Sequence, residues 1–367
     1  MLMQLLLFIA GLVALVVGAS SLVRGASKLA LSFGISPLVV GLTIVAFGTS
    51  APEMAVSTGA VLNGQTDIAI GNVVGSNIFN VLFILGISAL VAPLIVHVQL
   101  IRQEVPIMIG SALLLVALGL DGTLSWWEGI LLLVLMVVYT VFLILQSRRE
   151  SSANTAGFTA GFTAELPPVA PQAWDGKWPA QAALIVVGLI LLVLGSDWLV
   201  SASVVFAKAL GVSDLVIGLT IVAAGTSMPE VATSLTAAFK GERDIAVGNV
   251  VGSCTFNILG CLGLSALASG TLGLPLAPSI LTFDIWVMLA ALLACLPVFL
   301  SGREIARWEG GVFLAYYVAY VAYLILASQQ HDALPGLSSV MLGFVVPLTI
   351  ITFVVALLRE KPSGATS

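Results

Sequence analysis

Residues 34–57 read GISPLVVGLTIVAFGTSAPEMAVS, and a little further on residues 67–86 read DIAIGNVVGSNIFNVLFILG. Both stretches recur, as GVSDLVIGLTIVAAGTSMPEVATS at 211–234 and DIAVGNVVGSCTFNILGCLG at 244–263. The offset is 177 throughout without a gap, and 36 of the 57 positions from 34–90 and 211–267 are identical. Each copy carries an apolar run of membrane length broken by Gly-Thr-Ser-x-Pro-Glu. A carboxylate at such a depth is expensive, so Glu53 and Glu230 mark a functional position by default.

Working outward, the whole chain is of the same character. Its 367 residues are 59% hydrophobic and 8% charged, with a mean hydropathy of +1.15. That excludes an ordinary soluble domain and implies helices of about 20 apolar residues that cross a bilayer. Membrane lipid is the expected surrounding and no nucleic-acid partner is expected. Cys254, Cys261 and Cys295 all lie in apolar runs and read as small core fillers, giving neither a disulfide nor a thiolate metal site. The first Lys or Arg is Arg24 and no small-residue cleavage signal precedes it, so the first run reads as a retained span.

Apolar runs fall at about 3–23, 36–61, 68–95, 104–120 and 126–146, then 180–200, 213–239, 245–268, 277–300, 309–327 and 337–358. The expected organisation is a first five-helix unit at 1–146, a flexible linker at 147–178, a second five-helix unit at 179–330, and an extra helix with a tail at 331–367. The linker is rich in Ser, Ala, Thr, Gly and Pro, repeats GFTAGFTA at 157–164, and is too poor in apolar residues to hold a folded regulatory domain. Trp126, Trp127, Trp174 and Trp178 are placed to sit at headgroup level. With the N-terminus outside, Arg24, Lys28, Arg102, Arg148, Arg149, Lys177, Lys240, Arg243, Arg303, Arg307, Arg359 and Lys361 all fall inside, against Lys208 outside. This bias sets the orientation, with a cytoplasmic C-terminus and a bacterial-type inner membrane as the location. Equivalent points in the two copies are five spans apart. Since five is odd, the copies cross the membrane in opposite senses, as an inverted repeat with its shared site near the midplane. The fold class is therefore all-α integral membrane: ten core helices in two inverted halves, plus one more.

The chemistry of the break follows from Pro52, which removes a backbone donor and leaves carbonyls around Ala46 to Gly48 without helical partners. Thr49 and Ser50 add hydroxyls beside Glu53, and the next span adds Ser76 and Asn80 on one helical face. The second copy supplies Ala223, Thr226, Ser227, Glu230, Ser253 and Asn257. Every donor is a hard oxygen, which suits sodium or calcium and excludes soft metals. Two facing glutamates are neutralised equally by one calcium ion or two sodium ions, the competition that an exchanger requires. Asp67 and Asp244 read as N-caps of the spans that begin DIA, the paired glycines of GNVVGS as close-packing positions, and Asp284 and Glu304 as interfacial acids. A nucleophilic serine is excluded because neither His97 nor His331 lies in a repeat, so no enzyme and no cofactor are expected.

The paired GxTIVAxGTSxPE and GNVVGS motifs resemble the two alpha-repeats of the sodium/calcium exchanger branch of the calcium/cation antiporter superfamily. The resemblance covers both repeats and the ten-span frame. It implies calcium efflux driven by inward sodium through alternating access, with spans one and six sliding against the core. The family's metal ligands fall on Ala46, Thr49, Ser50, Glu53, Ser76, Asn80, Ala223, Thr226, Ser227, Glu230, Ser253 and Asn257. Three features depart from the family. Many members carry Asp where this chain has Asn257, so the usual three-sodium stoichiometry is in question. Cys254 and Thr255 stand where the first copy has Asn77 and Ile78, and an eleventh helix follows the core. A divalent cation/proton exchanger on the same fold, a passive cation channel and a purely structural membrane protein remain as alternatives, and the oligomeric state is open.

Overall fold

The computed structural model describes residues 2–153, 175, 177–209 and 223–359. Most of the linker, the first half of the span read at 213–239 and the tail from 360 onward lie outside the described residues. The helices, in order, are α1 (Leu2–Phe33), the pair α2 (Pro37–Thr49) and α3 (Ala51–Leu62), α4 (Thr66–Val91), α5 (Leu100–Asp121) and α6 (Trp126–Ala153). After the linker come α7 (Trp178–Ala209), the turn Ala223–Gly225, α8 (Met228–Phe239), α9 (Arg243–Ala268), α10 (Ile280–Leu300), α11 (Arg307–Ser328) and α12 (Leu334–Thr352). Among the described residues nine unbroken helices are long and apolar enough to cross a membrane, and α2 with α3 makes a tenth span bent by 41°.

α1 and α7 each run for 32 residues, or about 48 Å at 1.5 Å per residue. That exceeds the roughly 30 Å of bilayer hydrocarbon, so both must tilt. They pack on each other through glycines that let the two backbones touch. A Cβ on Gly18 would lie 2.9 Å from the Gly188 carbonyl, and one on Gly188 would lie 2.7 Å from the Leu22 nitrogen. The outer faces of α1, α6 and α7 expose Leu, Val and Ile, as lipid-facing surfaces do, whereas α4 and α9 are buried at the centre.

The two halves are interleaved. Leu94–Ile95 (β1) pairs antiparallel with Glu304–Ile305 (β4), and Thr123–Leu124 (β2) pairs with Leu274–Pro275 (β3), so each short ladder joins one half to the other. Equivalent glycines show the same interlocking. A Cβ on Gly263 would meet the Gly129 carbonyl at 3.1 Å, and one on Gly86 the Gly310 carbonyl at 2.9 Å. In the GNVVGS motif of α9, Gly248 lies against the Leu38 carbonyl and Gly252 against the Leu42 carbonyl of α2. The corresponding neighbours of Gly71 and Gly75 fall at 215–219, outside the described residues.

The capping role read for Asp67 and Asp244 needs correction. The N-cap positions are Gln65 and Glu242, and neither makes a side-chain cap bond. The two acids sit two residues further in, within the first turn, where a negative charge meets the positive end of the helix dipole. Expected outcomes follow for two contacts. Gly188→Leu is expected to cost about 1–3 kcal/mol through forced separation of α1 and α7, read as a lower midpoint in thermal unfolding in detergent. At one end of the bundle, Asp175 binds Lys28 Nζ at 2.6 Å and Arg24 Nη2 at 2.6 Å. The Lys28 contact first, then Arg24, holds this carboxyl below its ordinary range. A lowered folded-state pKa makes the contact fully present above the ordinary value of about 3.9 and lost as pH falls below it. Hydrogen exchange at 177–181 should therefore show protection independent of pH from 7 to 5 and diminished in Asp175→Asn.

Candidate cation site

The break in the second span centres on Ser50, whose φ of −81° and ψ of 1° place it between helix and extended backbone. Ser227 holds the same conformation in the other copy, at φ −89° and ψ 9°. Pro52 and Pro229 then restart the chain as α3 and α8, each with Pro in the first turn and with Glu53 or Glu230 beside it. Both carboxylates thus lie at helix N-termini, where free amides and the helix dipole favour negative charge.

The two halves exchange hydroxyls across the centre. Ser227 Oγ donates to Glu53 Oε1 at 2.8 Å, and Ser50 Oγ donates to Glu230 Oε1 at 3.2 Å. Ser227 Oγ is also 3.2 Å from Ser76 Oγ, and among the described residues the Ser253 hydroxyl is buried without a hydrogen-bond partner. Glu53, Glu230, Ser50, Ser227, Ser76 and Ser253 are buried, and Thr226 is half-buried. Among the described residues the second oxygen of each carboxylate, Glu53 Oε2 and Glu230 Oε2, has no hydrogen-bond partner, and neither does the carboxamide of Asn80. Buried anionic oxygens left in this way demand a positive charge.

Asn80 and Asn257 both sit where their helices widen into a π-turn, at Phe79–Leu85 and Asn257–Cys261. Their surroundings differ. Asn257 Nδ2 donates to Asn77 Oδ1 at 3.3 Å, and Asn257 Oδ1 accepts from the Cys261 thiol at 3.5 Å. The backbone expectation is also revised at Ala46. Its carbonyl accepts the Ser50 N–H at 3.0 Å and the Thr49 hydroxyl at 3.3 Å, so the donor missing through Pro52 is lost to Gly48 and not to Ala46. Nothing is described for the side chain of Ala223.

Four residues in the site went unnoticed in the sequence. Thr49 Oγ1 donates to Asn249 Oδ1 at 3.1 Å, and Asn249 Nδ2 donates to Ser234 Oγ at 2.9 Å. The mirror set is Thr226 to Asn72 at 3.2 Å and Asn72 to Ser57 at 2.9 Å. Asn72 and Asn249 therefore lock the threonines of the opposite half. The signal was present, since all four recur at the offset of 177. Away from the centre, Glu104 is buried but satisfied by Tyr139 at 2.8 Å, Gln99 at 3.0 Å and Gln103 at 2.8 Å. Asp284 accepts from Tyr320 at 2.8 Å in the equivalent place. These two acid–tyrosine pairs brace neighbouring spans. Among the described residues no three of His, Cys, Asp or Glu converge.

A family model described as "Sodium/calcium exchanger protein" matches residues 3–145 and 180–326. The chain is 40% identical over 267 residues to the inner membrane protein YrbG of Escherichia coli (strain K12), covering 73% of this chain and 80% of that protein. It is 36% identical over 344 residues to the sodium/calcium exchanger MaX1 of Methanosarcina acetivorans, covering 87% and 97%. A solved structure of the sodium-calcium exchanger NCX_Mj is similar with a TM-score of 0.73 at 30% identity, covering 87% of this chain and 98% of that one.

Tyr139→Phe is expected to leave the Glu104 carboxylate short of one donor in a buried setting, at a cost of about 1–3 kcal/mol. The check is the thermal unfolding midpoint, which should fall for Tyr139→Phe more than for the same change at partly exposed Tyr323.

Proposed function

The chain belongs to the sodium/calcium exchanger family, and from that premise we propose that it is a secondary antiporter exchanging calcium for sodium by alternating access. The observation that carries the reading is the pair of buried glutamates. Each is held by a serine of the opposite half, and each keeps one oxygen with no hydrogen-bond partner among the described residues. A dehydrated cation at the midplane satisfies both at once, and the hard oxygens around them match calcium and sodium. The proposed ligand shell is Glu53, Glu230, Thr49, Ser50, Ser76, Asn80, Thr226, Ser227, Ser253 and Asn257 with the backbone at Ala46 and Ala223. The division into halves at 1–146 and 179–330, a linker at 147–178 and an added helix at 331–367 goes with this reading.

In this mechanism α1 and α7, packed on each other through their glycines, slide against the central helices α2, α3, α4, α8 and α9, which hold the ion. Loading neutralises the two carboxylates and lowers the cost of passing through the occluded state, whereas an empty site keeps two unpaired charges in the membrane. Exchange is enforced because the empty form crosses slowly. The concentration of Lys and Arg at one side supports a cytoplasmic C-terminus, and similarity to the inner membrane protein YrbG supports an inner, plasma-type membrane.

Inside-out vesicles or proteoliposomes test it. An imposed sodium gradient should drive calcium movement, and a pH gradient alone should not; calcium movement on the pH gradient alone would transfer the assignment to proton exchange. Glu53→Gln and Glu230→Gln should each lower transport more than 100-fold with an unchanged elution profile and melting temperature, since the substitution keeps shape and removes charge. Transport persisting in either variant counts against the ligand assignment.

A further inference from the structure

Between α2 and α6 the outer wall of the bundle is interrupted by an apolar crevice of about 590 Å³, with Met136 and Phe256 buried at its floor. We propose that it holds one acyl chain of an anionic phospholipid, drawn from the leaflet at the Arg148–Arg149 end of α6. The proposal does not depend on which ions the chain carries.

Depth and wall chemistry identify the occupant. Ile44 and Phe47 of α2 and Val137 and Val141 of α6 form an exposed rim, so the crevice opens sideways into the hydrocarbon. The hydroxyls in its lining are spent on their own helices. Thr43 Oγ1 donates to the Val39 carbonyl at 2.6 Å, and Thr140 Oγ1 to the Met136 carbonyl at 2.9 Å. Water gains nothing from such a wall, and an empty crevice would forfeit the dispersion contacts of its lining. From Pro37 to Phe47 the α2 wall rises about 15 Å at 1.5 Å per residue. That is half of the roughly 30 Å of bilayer hydrocarbon, the reach of an acyl chain in one leaflet.

The two ends of the crevice differ as the two ends of a lipid do. At one end the Ser36 N–H donates to Ser147 Oγ at 3.3 Å and joins α2 to α6. Arg148 and Arg149 follow directly in the α6 helix, and basic positions at the end of a span attract an anionic headgroup. At the other end the Phe47 ring lies 5.7 Å from the Phe256 ring. Phe47 immediately precedes Gly48, whose carbonyl loses its amide donor to Pro52. An acyl chain lodged in the crevice therefore props α2 against α6 as far as the break.

The second half fills the matching corner with its own side chains. Trp-Glu-Gly at 127–129 and 308–310 aligns α6 with α11, so Tyr317 corresponds to Met136. By the offset of 177, Phe79 and Phe83 correspond to Phe256 and Gly260. Phe79 and Phe83 stack at 4.7 Å, and Tyr317 meets them edge-on at 5.3 and 5.4 Å. In the first half a glycine faces the thinner methionine, with a Cβ on Gly260 lying 3.9 Å from Met136 Cγ. The first half thus lacks two aromatic rings of the second, and the crevice lies beside the gap they leave.

The experiment uses the purified full-length chain, one copy per nanodisc of phosphatidylcholine. Trace phosphatidylglycerol, or trace phosphatidylcholine, carries a photoactivatable diazirine near the end of one acyl chain. Labelled peptides are mapped by mass spectrometry, with the exposed face of α1 at Leu12, Val13 and Val16 as the reference for passing lipid. The expected result is labelling concentrated at Ile44, Phe47 and Met136. Relative to the reference it should be about 30-fold higher for phosphatidylglycerol, the preference that two arginines supply. Met136→Tyr, which copies the second half, and Val141→Trp at the rim should each lower crevice labelling to the reference level at an unchanged elution profile. Arg148→Gln combined with Arg149→Gln should equalise the two lipids. Labelling no higher at the crevice than on α1 overturns the proposal, as does labelling that both filling variants leave unchanged. Equal labelling of the parent chain by the two lipids overturns the anionic headgroup. Crevice labelling that is lost when each disc holds two copies assigns the crevice to a second copy and overturns the lipid.

Discussion

A carboxylate can reside at the depth of bilayer hydrocarbon only if something local answers its charge, and here two of them do so together. The bond from Ser227 to Glu53 and the bond from Ser50 to Glu230 cross from one half of the chain to the other. Neither half could bury its own glutamate alone, because the hydroxyl that satisfies it belongs to the partner half. The rest of the architecture keeps these two half-helix ends face to face. The short ladders β1–β4 and β2–β3 tie the halves near their ends, and the glycine contacts of α9 with α2 draw the central helices together. The energetic logic is therefore mutual: the inverted repeat is what makes the acids tolerable, and the acids are what the repeat encloses.

Much of this was legible from residue order alone, for a simple physical reason. Membrane helices must satisfy their backbone internally, so span length and charge bias report topology directly, and an odd number of spans between copies dictates inversion. Glu53 and Glu230 announced themselves by the cost of their charge. What stayed hidden was orientation about each helix axis. The widening at Phe79–Leu85 and Asn257–Cys261 leaves no mark in hydropathy, and the different fates of Asn80 and Asn257 turn on Asn77 and Cys261, whose counterparts in the other copy are Cys254 and Ile84. Asp67 and Asp244 were read as caps because a cap and a first-turn acid have the same composition and differ by two positions in register. Glu104 was absorbed into an apolar run because its satisfying donor, Tyr139, is 35 residues away on another span.

Where the copies diverge, the divergence falls beside the breaks. Pro52 and Pro229 deprive the carbonyls of Gly48 and Gly225 of the same amide donor. In the second half Ser196 of α7 supplies a replacement, donating to the Gly225 carbonyl at 2.6 Å. In the first half the matching position on α1 is Ala19, which has no donor to offer. The broken helix of the second half is thus fastened to α7, one of the two helices proposed to slide, through a hydrogen bond with no counterpart at Ala19. Movement of α7 past Gly225 must break that bond, whereas Gly48 meets α7 through the apolar side chain of Leu189.

The inequality extends to the ends of the spans. At the end of α8, Lys240 Nζ reaches Ser20 of α1, with its carbonyl at 3.1 Å and its hydroxyl at 2.6 Å. The equivalent residue at the end of α3 is Asn63, which turns its amide back onto the Gly59 carbonyl of its own helix at 2.8 Å. Two nearly identical segments are thus held in different packings, one engaged with the neighbouring long helix and one folded back on itself. The alternating access proposed above needs unequal packing of its two halves, since equal packing on both sides would leave both entrances equally closed or equally open. The difference lies in the side chains themselves, a short amide at Asn63 and a long ammonium chain at Lys240, so the copies are unlike at this contact whatever state the rest of the repeat adopts.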